Sequence, residues 1–136
     1  MDRQFWLGFA AYLVPTFPLG YLWHLVWFHA WYERLEAYRP DVVIPMGLGS
    51  MILQGALFSW AFPRLFVAPG RSWASTAALA FAGCGLLAWS FVVLPVAAKH
   101  RMTSVSAFVE IETAFTALQF AIYAPLAAWV YGRPAR

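Results

Sequence analysis

Four apolar runs, each long enough to cross a bilayer, dominate this sequence. A hydrocarbon core about 30 Å thick needs about 20 helical residues at 1.5 Å each. Gln4 to Tyr32 contains no Asp, Glu, Lys or Arg, and neither does Val42 to Pro63. Ser72 to Ala98 is the third such run. The fourth is Thr113 to Gly132, or Ser104 to Gly132 if Glu110 and Glu112 are admitted. The connections, about Glu33 to Asp41, Leu65 to Arg71 and Lys99 to Thr103, are short, which forces neighbouring helices to run antiparallel. A membrane β-barrel would show strands of about ten alternating residues instead.

The expected fold is all-α: an integral membrane four-helix antiparallel bundle with proline-kinked helices. It forms a single domain with spans at about 5–31, 43–63, 73–98 and 105–131. Composition agrees, with 62% hydrophobic and 11% charged residues in a chain of 136. A soluble domain carries about 25% charged residues. The first run continues through Trp23, Trp27 and Trp31, well past the 7–15 residues of a signal-peptide apolar region, and reads as a mature helix. Cys84 is the only cysteine and reads as a small packing residue.

Lys and Arg in the loops set topology. Arg3, Arg64, Arg71, Arg133 and Arg136 fall on the side of both termini, and Arg34, Arg39, Lys99 and Arg101 on the other. Five against four leans to a multi-pass protein of the inner (cytoplasmic) membrane with both termini in the cytoplasm. A net charge of +3 dispersed over loops is no nucleic-acid face. The expected partners are the lipid bilayer and either further copies of the chain or a partner membrane subunit.

Trp and Tyr favour the membrane interfaces. Trp6, Trp60, Trp73, Trp129 and Tyr131 would line the terminal side, and Trp27, Trp31, Tyr32 and Tyr38 the other. Pro15 and Pro18 would free the carbonyls of Ala11 and Val14, and Pro125 that of Ala121, because proline lacks an N–H. A kink in the first span is the plain reading of this pair, and a hinge or ion-coordinating break the sharper one. Thr76, Ala80, Cys84 and Ala88 recur every four residues, and Gly47, Met51 and Gly55 do so less cleanly. Both sets read as close-packing faces.

The polar residues at membrane depth are costly there and tend to be functional. Glu112, Thr116, Gln119 and Tyr123 share one helix face at i, i+4, i+7 and i+11. Gly47, Ser50 and Gln54 do so on the second span. Antiparallel order puts His24, His29, Gln54, His100, Glu110 and Glu112 in one half of the bilayer. The expected polar cluster, for binding or proton handling, is His24, Gln54, Glu110, Glu112, Thr116 and Gln119. The plain alternative leaves Glu110, Glu112, His29 and His100 at the interface and makes His24 a structural clasp.

His24, His29 and Glu112 are candidate ligands for a metal ion, since imidazole plus carboxylate suits zinc or iron. His24 and His29 lie about 140° apart round a helix, so one regular helix would not present both to one ion. The cofactor is otherwise unknown. No catalytic set or phosphate-binding loop can be assembled from the sequence.

Pro18-Leu19-Gly20 with Trp23-His24 and Phe28, Ile44-Pro45-Met46-Gly47 with Gln54-Gly55, and Glu112-Thr113-Ala114-Phe115 with Gln119-Phe120 resemble small four-transmembrane-helix bacterial membrane proteins of unknown function. That resemblance spans most of the chain and implies a four-helix membrane fold, with no activity to carry over. The chain does not resemble the fluoride channels. It also lacks the glutamate that the small multidrug exporters carry in mid first span.

Three functions compete. The first is a small membrane protein without a catalytic set, acting as a permeation unit or as a subunit of a larger assembly. The second is a metal-, haem- or pigment-binding redox protein using His24 and Glu112. The third is a proton-coupled small-solute transporter with Glu112 as the carrier.

Overall fold

The computed structural model describes residues 3–39 and 41–132. Among these the chain is all-helical, and four helical stretches are long and apolar enough to cross a membrane: Arg3–Trp27, Ile44–Leu65, Trp73–Lys99 and Val105–Tyr131. The first comprises α1 (Arg3–Leu22) and a π-helical turn, Trp23–Trp27, after which the chain restarts as α2 (His29–Arg34). The second is α3 (Ile44–Leu65). The third joins α4 (Trp73–Ala88), a second π-helical stretch (Trp89–Val93) and α5 (Leu94–Lys99), and the fourth is α6 (Val105–Tyr131).

Local chemistry sets these limits. Ser72 and Ser104 cap α4 and α6 by accepting from the backbone N–H of Ser75 and Ala107, at 3.1 and 3.3 Å. The Ser104 cap resolves the choice left by the sequence, because α6 starts at Val105 and Glu112 lies about 10 Å along its axis. Pro45 opens α3, where a missing N–H costs nothing. Between α3 and α4, Gly70 takes φ +75°, the left-handed region that glycine enters freely.

Pro15 and Pro18 lie inside α1, and a second irregularity follows them. α1 continues through both prolines, and the helix changes type at Trp23. There pairing widens by one residue, with the Phe28 N–H bonding the Trp23 carbonyl at 3.0 Å. Phe28 then leaves helical geometry (φ −113°, ψ 16°), so the helix breaks before Tyr32. The third span repeats the device, as Leu94 N–H reaches back to the Trp89 carbonyl beside Pro95.

α6 is the central helix, with α1 on one side and α4 on the other, while α3 leans chiefly on α1. The expected close-packing face of the third span is buried at Thr76, Ala80 and Cys84. On the second span Gly55 is buried against Tyr12 and Phe9, whereas Gly47 has open space where a side chain would stand. The belts divide by residue type. Trp6, Trp27, Trp31, Trp60, Trp73 and Trp129 stay on the surface, but Tyr32 and Tyr131 turn inward. Arg133 and Arg136, counted above for orientation, lie outside the described residues.

Candidate functional site

His24 sits inside the first π-helical turn and reaches α6. Its Nδ1 lies 2.8 Å from the Gly20 carbonyl, and its Nε2 lies 3.2 Å from Glu112 Oε1. A carbonyl only accepts, so Nδ1 carries a hydrogen and Nε2 is the nitrogen turned to the carboxyl. Glu112 is only 8% exposed. The Tyr32 hydroxyl donates to the same Oε1 at 2.7 Å. Phe115 packs edge-on against the imidazole at 4.4 Å, one helical turn from Glu112.

The segment after the helix break covers this pair. Glu36 adopts φ +53°, and the Ala37 N–H returns to the Tyr32 carbonyl at 3.3 Å, a left-handed helix ending. That reversal stacks Tyr38 on Tyr32 with centroids 4.5 Å apart and 8° between planes. Both rings also face His24, at 5.1 and 6.0 Å. Tyr32 and Tyr38 lie beyond the first membrane-spanning stretch. Burial, reinforced by the Glu112 charge, pushes both phenols above their ordinary range, so they stay protonated donors. The connections are tied together behind them. Thr103 donates its N–H to the Leu35 carbonyl at 3.0 Å and its hydroxyl to the Arg34 carbonyl at 2.8 Å.

The other residues of the expected cluster are distributed differently. Gln54 and Gln119 join a second network through Tyr12: its hydroxyl donates to Gln54 Oε1 at 2.5 Å and accepts from Gln119 Nε2 at 2.9 Å. Gln54 Nε2 then reaches Ser50 at 3.1 Å. Gln119 is two turns from Glu112, about 10 Å along α6, so the two networks are separate. Thr116 is buried and lines a groove toward Trp89 and Gly85. Glu110 is exposed.

His29 pairs with Glu33 at 3.3 Å on the exposed flank of α2, carried there by the break at Phe28. His24, His29 and Glu112 therefore do not converge. Among the described residues no three His, Cys, Asp or Glu side chains gather as a metal-ligand set.

Sequence reasoning missed Tyr12, Tyr32 and Tyr38. Apolar Leu35 and aromatic Tyr38 inside a short connection were the available signal, because such residues need somewhere to be buried.

Beside the clasp lies a cleft of about 430 Å³ between α1, α3 and the first connection. This falls within the range of small-molecule sites. His24 forms part of its wall, together with Phe17, Leu25, Leu48 and Met51, while Tyr38, Arg39 and His100 stand at its loop end. No protein-family model, curated protein or solved structure matches the chain.

Proposed function

We propose that this protein is a non-catalytic membrane permeation unit in which the His24–Glu112 pair is a proton site linked to the neighbouring cleft. The observation that supports this reading is the 3.2 Å approach of the His24 imidazole to the buried Glu112 carboxyl. With Nδ1–H committed to Gly20, the 3.2 Å contact between Nε2 and Oε1 holds only while one proton lies between them. Remove it, and a nitrogen lone pair faces a carboxylate. Proton loss and separation of His24 from Glu112 are then one event. Because His24 is a cleft wall, that event changes the space offered to a solute. Tyr32 donates to Oε1 in either state and keeps the carboxyl in place.

A reporter in the cleft tests this. An environment-sensitive fluorophore on Gly47→Cys, in a Cys84→Ala background and lipid nanodiscs, is expected to respond to pH as a one-proton transition. The response should vanish in Glu112→Gln and persist in Glu110→Gln. An unchanged response in Glu112→Gln rejects the proposal.

A further inference from the structure

The cleft has a chemical polarity of its own. Its ionisable lining groups are His24, Tyr21, Tyr38, Arg39 and His100, and among the described residues no Asp or Glu lines it. Glu112 stands behind His24, out of contact with the space. The charged and donor groups Tyr38, Arg39 and His100 belong to the first connection and the end of the third span, so they gather at one end. The other end, between Phe17 of α1 and Met51 of α3, is apolar. Met51 lies seven residues into α3, so the cleft runs about 10 Å down between the two helices. Two glycines open it. Gly20 leaves room for the Met51 methyl, and Gly47 has nothing within 4 Å of where a side chain would begin.

The donors are also available. Arg39 holds Asp41 through Nε and Nη2, at 3.2 and 3.1 Å, in a pair whose side chains are 66% and 76% exposed. Such an exposed pair holds its partners weakly, and Nη1 makes no hydrogen bond among the described residues. The His100 side chain is exposed. A mouth that offers the Arg39 guanidinium and the His100 imidazole, over an apolar shaft between membrane helices, complements an apolar chain with an anionic head that displaces Asp41.

We infer that the cleft between α1 and α3 takes a single-chain amphiphile with an anionic head. The head lies against Arg39 and His100, and the chain lies between Phe17, Leu48 and Met51. This rests on the proton-linked reading only for its consequence: filling the cleft that His24 walls is coupled to the proton held by the His24–Glu112 pair. The ligand assignment itself stands on the lining.

Calorimetry on the full chain in zwitterionic nanodiscs, with empty discs subtracted, tests it using dodecanoate, dodecanol and dodecyltrimethylammonium. One dodecanoate per chain is expected, bound about tenfold or more tighter than either comparison compound, as charge-assisted hydrogen bonds require. Arg39→Gln with His100→Gln should bring dodecanoate down to the dodecanol level. Gly47→Phe, placed in open space, should fill the cleft and abolish binding while the thermal transition is kept.

Equal binding of dodecanoate and dodecanol, or no binding of either, overturns the inference. So does displacement of dodecanoate by phosphatidylglycerol in the disc, which would assign the site to a membrane lipid. Two buffers of different ionisation heat separate the two claims. Dodecanoate bound without proton uptake or release leaves the ligand standing and removes the proton linkage. A pH-responsive cleft that ignores dodecanoate does the reverse.

Discussion

Where α1 begins and α6 ends, Tyr12, Phe62, Phe120, Tyr123 and Tyr131 close around Ala80, Cys84, Ala124 and Ala127. At the opposite end Tyr32, Leu35, Val93 and Phe108 form a second, smaller core. The first is built from uninterrupted α-helices and small residues, so rings and backbones approach closely. Its polar ties are neutral: Tyr12 with two glutamines, and Tyr131 donating to the Ser59 carbonyl at 2.8 Å. The second core includes both π-helical stretches, the short α2 and the connections. It holds the His24–Glu112 pair and borders the cleft. Both π-helical stretches also contact neighbouring residues of α6, His24 at Glu112 and Trp89 at Thr113. Regular helix seals one half around neutral hydrogen bonds, whereas interrupted helix lets the other half hold an imidazole against a carboxyl.

Removing the titratable partner should separate the halves most sharply. Glu112→Ala leaves a buried imidazole and phenol facing a void and is expected to cost about 3 kcal/mol, read by thermal unfolding in mild detergent. Glu112→Gln still accepts from Tyr32 and should cost much less. Similar losses in both variants would mean that the carboxyl itself, and not its shape or its bond from Tyr32, carries the stability.

In the neutral half, a methyl at Gly8 would run into the Tyr131 ring. Gly8→Ala should therefore cost about 2 kcal/mol while leaving the pH response of the cleft reporter intact. Tyr12→Phe strips the hydroxyl shared by Gln54 and Gln119. It should cost about 1 kcal/mol, the scale of interhelical hydrogen bonds in membranes, again without touching that response. A pH response lost in either variant would show that the two networks communicate.

Alkaline pH probes the other half. Below pH 10, the ordinary phenol value, Tyr32 and Tyr38 are protonated in both folded and unfolded chains. Above it the unfolded chain ionises first and the folded chain holds its protons, so their contribution to stability is lost as pH rises. The wild-type transition should fall faster above pH 10 than that of the Tyr32→Phe/Tyr38→Phe double variant. Parallel curves would place both phenols in ordinary solvent.

The smallest effect is a gain. Glu36→Gly relieves the left-handed backbone at the turn that returns Tyr38 and should stabilise by up to about 1 kcal/mol. Destabilisation instead would mean that the Glu36 side chain helps hold the turn.

What the sequence determined was the part governed by length and solvent. Uncharged runs longer than a bilayer must be helices, because lipid offers the backbone no other partners. Short connections then make them antiparallel, which already brought His24 and Glu112 to one half. The Thr76–Ala80–Cys84 face was legible too, because its period is that of the helix. The separation of His24–Glu112 from Tyr12–Gln54–Gln119 was decided only in the folded bundle. It depends on which face of each helix meets which neighbour, and the spans are too uniformly apolar to announce their faces. Tyr32 and Tyr38 came to the site through a π-helical turn, a break at Phe28 and a left-handed Glu36. These local departures occur where tertiary contacts outweigh residue preference, so no periodicity foretells them.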